Sequence, residues 1–130
     1  MTLFCMAHLI DSSVWVALFL DFDTHHRKAE RILSTVSGTI SVPYCVIAEV
    51  ATVLAYKHSK RLADNFLAYI RGNKDIECIN DDPFAEMDFY VTLSQKISFT
   101  DGALLFLSRR MPATLITFDK QLERMAKKNR

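Results

Sequence analysis

Four acidic residues stand where an apolar segment meets a turn or the start of a helix. Asp11 closes the apolar run 3–10 and Asp119 follows the run 113–118, whereas Glu49 and Asp101 lie inside or at the head of otherwise apolar stretches. A carboxylate in such surroundings is costly unless it has a partner or a task. Carboxylate oxygens are the ligands that hard divalent cations prefer. If the fold brings these acids together, they predict a pocket for magnesium or manganese.

The chemistry of such a pocket follows from its charge. Clustered carboxylates repel one another, so without a counter-ion at least one of them would have a raised pKa and keep its proton. A divalent cation relieves that repulsion. It also activates a bound water and neutralises the charge that develops on a phosphodiester under attack. The four acids therefore predict metal-assisted hydrolysis.

The elements that must position these acids alternate between strands and helices. The helix that begins at Asp82-Pro83 is predicted to turn Phe84, Met87 and Val91 toward the core. Short apolar or β-branched runs predict buried strands at 3–10, 39–42, 76–79 and 113–117. Helical spacing and capping residues predict helices at 14–20, 29–36, 44–58, 60–70, from 83, at 100–110 and in a basic tail from about 120.

Strands separated by helices imply an α/β fold, with a parallel sheet covered on both faces and right-handed crossovers. In such sheets ligands gather beyond the carboxyl ends of the strands, which is where Asp11 and Asp119 would lie. Asp101 would lie on the first turn of its helix, where the positive end of the helix dipole tolerates an anion. The predicted geometry therefore favours one site shared by the four acids.

Length and composition predict a single domain over residues 1–130. The net charge of +1 gives no overall attraction to nucleic acid or to an acidic membrane surface. The cysteines, Cys5, Cys45 and Cys78, lack metal-ligand spacing and are predicted to be reduced core residues of a cytoplasmic protein. The first twenty residues have no basic leading segment and Asp11 interrupts them, so neither an export signal nor a membrane span is expected.

The residues after the first predicted strand exclude several other classes of α/β protein. Asp11-Ser12-Ser13 stands where dinucleotide binding requires a Gly-rich turn, and the chain has only 3 glycines. A P-loop is absent for the same reason. A phosphotransferase with an aspartyl nucleophile usually has a second acid two residues after the first, where Ser13 stands. A metal-adhesion site of the DxSxS type fails at Trp15.

Four short motifs, in order and with similar spacing, resemble the acidic motifs of PIN-domain nucleases. They are LIDSSV at 9–14, AEV at 48–50, TDGA at 100–103 and TFD at 117–119. The resemblance spans about residues 7–122. Within that family the chain is most similar to the VapC-type toxins, which are small single-domain ribonucleases. The resemblance implies a PIN-like three-layer α/β/α sandwich with a central, mostly parallel sheet of four or five strands.

The resemblance also implies roles for particular residues. The four acids would bind magnesium or manganese, and the metal-activated water would hydrolyse RNA phosphodiesters. The hydroxyls of Ser13 and Thr117 would support Asp11 and Asp119, respectively. Gly102 departs from the family, which more often has alanine at that position. No further acid lies between the third and fourth motifs, so a tightly held second metal is not implied.

Each acid also has a purely structural explanation. An aspartate after a strand or before a helix is often only a helix cap, and Glu49 has the alternative of facing solvent. His25 and His26 are interpreted as a solvated first turn rather than as metal ligands, since magnesium prefers oxygen. Two other functions stay open beside a toxin ribonuclease: an RNA-processing PIN nuclease that is not a toxin, and a PIN-like scaffold that binds RNA or protein without cutting.

Partners are predicted from charge and from apolar surface. Segments 14–20 and 46–56 are apolar on more than one helical face, which predicts that another chain buries part of them. The resemblance to VapC-type toxins implies a homodimer and a small antitoxin whose apolar segment lies along a groove near the acids. RNA phosphates are expected to contact the basic tail, whose alternative interpretation is a solvated, frayed end. The tail residues concerned are Lys120, Arg124, Lys127 and Lys128.

Overall fold

A computed structural model describes residues 7–128 as four strands and seven helices. The first predicted strand was longer, but residues 3–6, and Cys5 with them, lie outside the described part. No helix within 7–128 is both long enough and apolar enough to cross a membrane. The elements are β1 (Ala7–Ile10), α1 (Ser12–Phe19), α2 (His26–Thr35), β2 (Ile40–Pro43), α3 (Tyr44–Lys57), α4 (Lys60–Gly72), β3 (Ile76–Ile79), α5 (Pro83–Val91), α6 (Phe99–Arg110), β4 (Ala113–Ile116) and α7 (Lys120–Lys128).

The four strands form one parallel sheet in the order β3-β2-β1-β4. Leu9 of β1 lies opposite Ser41 of β2 on one side and Leu115 of β4 on the other. Strands β2 and β3 are added successively on one side of β1, and the chain then crosses to add β4 on the other side. Such a reversal of strand order opens a crevice at the carboxyl ends of the two strands between which it occurs. Here those strands are β1 and β4.

Helices cover both faces of the sheet, which confirms the predicted α/β sandwich. The connections from β1 to β2 and from β2 to β3 run in one direction across the sheet, and the connection from β3 to β4 runs in the other. Right-handed crossovers therefore place α1 to α4 on one face and α5 and α6 on the other. In the first layer Trp15 of α1 is fully buried and packs edge-on against Phe66 of α4, with ring centroids 5.7 Å apart. In the second layer Leu104 and Leu105 of α6 are fully buried.

Segments 14–20 and 46–56 are mostly covered by the chain itself, which leaves little of the apolar surface that another chain was predicted to bury in part. Along α3, Val46, Ile47, Val50 and Leu54 are buried in the same core as α1. On its outer side Ala48, Thr52 and Tyr56 are exposed, and Tyr56 is the large apolar side chain among them, with 88% of its surface exposed. Helices α3 and α4 pack against each other and enclose most of this apolar surface.

The prediction for α5 was wrong in its orientation. Phe84 and Val91 are 75% and 78% exposed, and Met87 is also exposed. The opposite side of α5 faces the protein: Phe89 packs against α6, and Glu86 is buried. Apolar side chains occur all round α5, and its two acids, Glu86 and Asp88, lie on different sides, so its periodicity did not indicate which side packs.

A close contact between α6 and α5 explains why position 102 carries glycine. A Cβ atom at this position would lie 2.7 Å from Cδ1 of Tyr90, which is closer than carbon atoms pack. The Tyr90 ring cannot easily move away, because its hydroxyl donates a hydrogen bond to the Ile97 carbonyl at 2.6 Å. The departure from alanine at Gly102 therefore reflects the packing of α5 on α6 rather than a change in the chemistry of Asp101.

Candidate active site

The four acids line one cavity of about 550 Å³ at the carboxyl edge of the sheet. Asp11 follows β1 and Asp119 lies just beyond β4, so both reach the crevice where the strand order reverses. Glu49 lies on the second turn of α3, and Asp101 lies on the first turn of α6. Four separate elements thus bring these side chains to a common space, although the residues are spread over most of the chain.

Asp11 is the most buried of the four acids, with only 5% of its surface exposed. It occupies the N-cap position of α1, yet its side chain makes no capping hydrogen bond. Instead its Oδ2 atom accepts hydrogen bonds from the Ser13 hydroxyl at 2.8 Å and the Thr117 hydroxyl at 2.6 Å. These two donors stabilise a buried negative charge that would otherwise be costly. The helix-cap explanation therefore does not account for the Asp11 side chain.

Thr117 connects two of the acids, but not in the way the resemblance implied. Its hydroxyl donates a hydrogen bond to the Asp11 carboxylate and accepts one from the backbone amide of Asp119 at 2.9 Å. The supporting hydrogen bond therefore goes to the Asp11 carboxylate, whereas Asp119 is held through its backbone. The Asp119 Oδ1 atom accepts from the amides of Gln121 and Leu122 at 2.8 and 3.1 Å. Asp119 therefore caps α7 with one oxygen while its side chain also lines the cavity.

Glu49 is positioned by the hydroxyl of Thr100, which in turn contacts the hydroxyl of Ser98; the sequence had assigned neither hydroxyl to the site. The Thr100 hydroxyl donates to Glu49 Oε1 at 2.9 Å, and the Ser98 hydroxyl lies 2.9 Å from Thr100 Oγ1. Ser98 also caps α6 by accepting from the Asp101 amide at 3.1 Å. The available signal was Ser98 at a helix start, three residues before an acid, which predicts a cap but not the link through Thr100 to Glu49.

The carboxylates are close enough to influence one another electrostatically. Burial, and then the charges of Asp11, Asp119 and Glu49, raise the pKa of Asp101 from its ordinary value of 3.8 to about 6. A hydrogen bond from Ser98 opposes the rise. The direction is that expected for an acid among other acids in a partly dry cavity. Asp101 is therefore the acid of this group that most needs a counter-charge.

The donor set fits a hard cation. All four acids offer oxygen, and magnesium retains several waters, so a few carboxylates are sufficient to bind it. Across residues 7–128, no three His, Cys, Asp or Glu side chains stand close enough together to form a ready-made ion site. The arrangement is therefore an open, acid-lined cavity in which Asp11 and Glu49 are fixed by hydroxyls, not a closed set of ligands.

Asp23, His25 and Phe118 are among the further residues that line the same cavity and that the sequence had not assigned to the site. His25 had been interpreted as part of a solvated turn, and it is indeed exposed. Its ring nevertheless lies 5.0 Å from that of Phe118, measured between centroids. Phe118 belongs to the TFD motif, where an aromatic residue after a strand is most simply a core residue, so no local signal placed it here.

The basic tail forms the helix α7, and none of its four candidate RNA-binding residues lines the cavity. Leu122, Met125 and Ala126 are buried against the domain, so the charged side faces solvent. Within the described residues the tail is therefore a packed helix rather than a frayed end. Its basic residues Lys120, Arg124, Lys127 and Lys128 are all exposed.

Comparisons with known proteins agree with this fold. The family model described as the PIN domain matches residues 8–128. Among solved structures, the chain is similar to VapC20 of Mycobacterium tuberculosis, which is described as a toxin that cleaves the sarcin-ricin loop. The two structures superpose with a TM-score of 0.78 at 22% sequence identity, covering 88% of this chain and 92% of VapC20. A search of curated proteins gives no match. Since the family model covers nearly the whole chain, the protein belongs to the PIN domain family.

Proposed function

We propose that this protein is a metal-dependent endoribonuclease that hydrolyses RNA phosphodiesters. The observation that carries the proposal is the convergence of Asp11, Glu49, Asp101 and Asp119 on one cavity, where burial and then the charges of the other three raise the pKa of Asp101. A purely structural role would not require four elements to bring repelling charges together. An oxygen-lined site for magnesium or manganese gives that arrangement a function.

The chain's own residues would prepare the site before substrate arrives. Ser13 and Thr117 fix the orientation of Asp11, and Thr100 fixes that of Glu49. Such fixed orientation reduces the reorganisation needed when charge develops on the phosphodiester. When bound, magnesium or manganese would supply an activated water and neutralise negative charge on the phosphate. The expected products carry a 5′-phosphate and a 3′-hydroxyl.

The proposed biological role is that of a VapC-type toxin neutralised by a small antitoxin. The support is the shared fold with VapC20, which is itself described as a toxin acting on the sarcin-ricin loop. An antitoxin could place an Arg or Lys against the acids of the cavity and compete with the metal through charge-assisted hydrogen bonds. The alternatives are an RNA-processing PIN nuclease that is not a toxin, and a scaffold that does not cut. A small neighbouring gene whose product suppresses cleavage would favour the toxin over both.

The basic face of α7 is proposed to contact the RNA backbone. Lys120 follows Asp119 directly, so the basic face begins next to the cavity. The measure of this contribution is the salt dependence of RNA binding, because each neutralised phosphate releases counter-ions.

A homodimer is part of the same proposal, and α5 supplies the surface for it. Phe84, Met87 and Val91 form an exposed apolar stripe on one side of this helix. We expect Val91→Glu to convert a dimer into a monomer, because it would bury an unpaired charge in the interface. Light scattering measures the change. The matched control is Thr52→Glu, which changes an exposed residue of α3. A wild-type protein that is monomeric at every accessible concentration would reject the dimer.

Metal dependence provides the direct test of the nuclease proposal. We expect purified protein to cut single-stranded RNA in millimolar Mg²⁺ or Mn²⁺ and to lose cleavage in excess EDTA. We also expect Mn²⁺ alone to raise the melting temperature, since an ion that binds only the folded state stabilises it by mass action. The RNA ends identify the chemistry, and calorimetric titration gives the affinity for the ion.

Glu49→Gln tests whether the metal ion acts by binding at the acid-lined cavity or by a general effect of the ion on the protein or the RNA. This variant keeps the side-chain shape, and its oxygen can still accept the Thr100 hydrogen bond, but it lacks the charge. It should therefore reduce both cleavage and the Mn²⁺-induced rise in melting temperature. Unchanged cleavage in excess EDTA would reject the metal-dependent mechanism.

A further inference from the structure

An aromatic pair adjoins the acids in the cavity. The rings of His25 and Phe118 both line it, with centroids 5.0 Å apart and planes inclined by 35°. This is the smallest inclination of any ring pair observed among the described residues, and so the nearest to stacking. The ammonium group of Lys28 lies 5.3 Å from the centroid of the Phe118 ring. A π surface and a cation therefore stand together beside the four carboxylates.

Both aromatic residues are fixed through their backbones. The amide of His25 donates to Asp23 Oδ1 at 2.8 Å, which holds the turn before α2. Phe118 lies between Thr117 and Asp119, and the Asp119 amide donates to the Thr117 hydroxyl at 2.9 Å. Thr117 is in turn bonded to Asp11. The backbone of Phe118 is thus held, through Thr117, next to Asp11. Because the backbones of both aromatic residues are fixed in this way, binding a ligand should cost the pair little conformational entropy.

The charge of the cavity decides how RNA can approach it. Its lining includes five carboxylates and no lysine or arginine: Asp11, Asp23, Glu49, Asp101 and Asp119. These charges repel phosphates, so favourable contact outside the metal site must come from a base or from cations at the rim. Aromatic side chains stack on the π face of any base. Lys28 is exposed and stands next to the aromatic pair, where it can neutralise a phosphate.

Resting on the proposed function, we propose that His25, Lys28 and Phe118 form a subsite for one unpaired nucleotide beside the scissile phosphate. The base stacks on the aromatic pair, and the Lys28 ammonium contacts the adjoining phosphate. Stacking requires a base that is free of its own helix, since paired bases in RNA duplexes are not accessible to such side chains. The subsite therefore selects single-stranded loops or bulges by conformation, with little preference for base identity.

Binding measured in EDTA tests the subsite without cleavage. The probe is a fluorescently labelled single-stranded RNA of about ten nucleotides, together with a series in which one base at a time is replaced by an abasic sugar. For the wild-type protein, we expect one position in the series to lose about 5- to 100-fold in affinity, the size of one base stack. Phe118→Leu should weaken the intact RNA by a similar factor and should no longer respond to the abasic position.

Other variants keep the test decisive if Phe118→Leu does not fold. Phe118→Tyr retains the ring and should restore both affinity and the abasic response, while His25→Ala should reproduce the loss. Lys28→Ala should flatten the salt dependence but leave the abasic response intact, because it removes a phosphate contact only. The matched control is Phe22→Leu: Phe22 is 69% exposed and packs on His58 outside the cavity, so this variant should bind like the wild type.

The outcomes separate the subsite from the nuclease. An abasic profile that is the same in the wild type, Phe118→Leu and His25→Ala would overturn the subsite, as would wild-type protein that does not bind the RNA. If RNA is cleaved but Phe118→Leu binds and cuts normally, only the subsite fails. If the stacking response is present but no metal restores cleavage, the subsite stands and the nuclease proposal fails.

Discussion

Asp11→Asn is expected to reduce RNA cleavage by about 10²- to 10⁴-fold, the range typical for loss of one catalytic group. The substitution removes the charge at the most buried of the four acids. The fold should survive, because the asparagine oxygen can still accept the hydrogen bonds that Ser13 and Thr117 now donate to Oδ2. Single-turnover cleavage, together with thermal melting, distinguishes a loss of chemistry from a loss of structure.

The control for this experiment is Asp21→Asn, which removes an exposed carboxylate that does not line the cavity. It should cut at the wild-type rate. Full activity of purified Asp11→Asn would remove Asp11 from the site, and with it the proposal that the four acids act as a unit. A large drop in melting temperature would instead show that the main role of the Asp11 charge is structural.

The strands and helices of this fold could be predicted from sequence because each is indicated by a pattern within its own segment. The strands β2, β3 and β4 are short apolar or β-branched runs, and their observed bounds differ from prediction by about a residue. The positions of Asp11 and Asp119 follow from the same signal, because a residue that directly follows a parallel strand lies at the carboxyl edge of the sheet. The side of α5 that packs against the domain could not be predicted, because apolar side chains occur all round this helix and its two acids lie on different sides.

The supporting part of the site depends on contacts that no local pattern contains. Thr100 contacts Glu49 across 51 residues of sequence, and Thr117 contacts Asp11 across 106. The resemblance suggested Thr117 as a supporting hydroxyl but associated it with the nearer acid in sequence. Its actual acceptor is Asp11, because β4 lies beside β1 in the sheet and brings their ends together. Side-chain partners of this kind are set by strand order, which the sequence alone left open.

Asp101→Asn is expected to have opposite effects on function and on stability. Cleavage should fall by a factor similar to that of Asp11→Asn, since the same site loses a charge. The metal-free protein should nevertheless become more stable at neutral pH. The pKa of Asp101 is about 6 in the folded protein, above its ordinary value of 3.8, so the folded state binds this proton more tightly than the unfolded state does. Ionised Asp101 therefore destabilises the fold, and asparagine removes that repulsion.

The sign of the pH dependence follows from this shift. Well below pH 3.8 the carboxyl is protonated in both states and does not change the free energy of unfolding. As the pH rises from about 4 to about 6, the unfolded state releases the proton while the folded state still holds it, so wild-type stability falls; above pH 6 the difference is constant. Solvent screens a carboxylate that is only partly buried, which limits the gain from Asp101→Asn to about 1 kcal/mol, or about 4 °C in melting temperature.

Melting curves in EDTA from pH 4.5 to 8 measure this effect. The advantage of Asp101→Asn over the wild type should grow up to about pH 6 and then level off, because the pKa of Asp101 in the fold is about 6. Added Mn²⁺ should narrow or reverse the difference, since the ion supplies the counter-charge that only the wild type can use fully. Asp88→Asn, which changes an exposed acid on α5, should show neither trend. A wild type that is more stable than Asp101→Asn without metal at pH 8 would contradict the repulsion on which the proposed site depends.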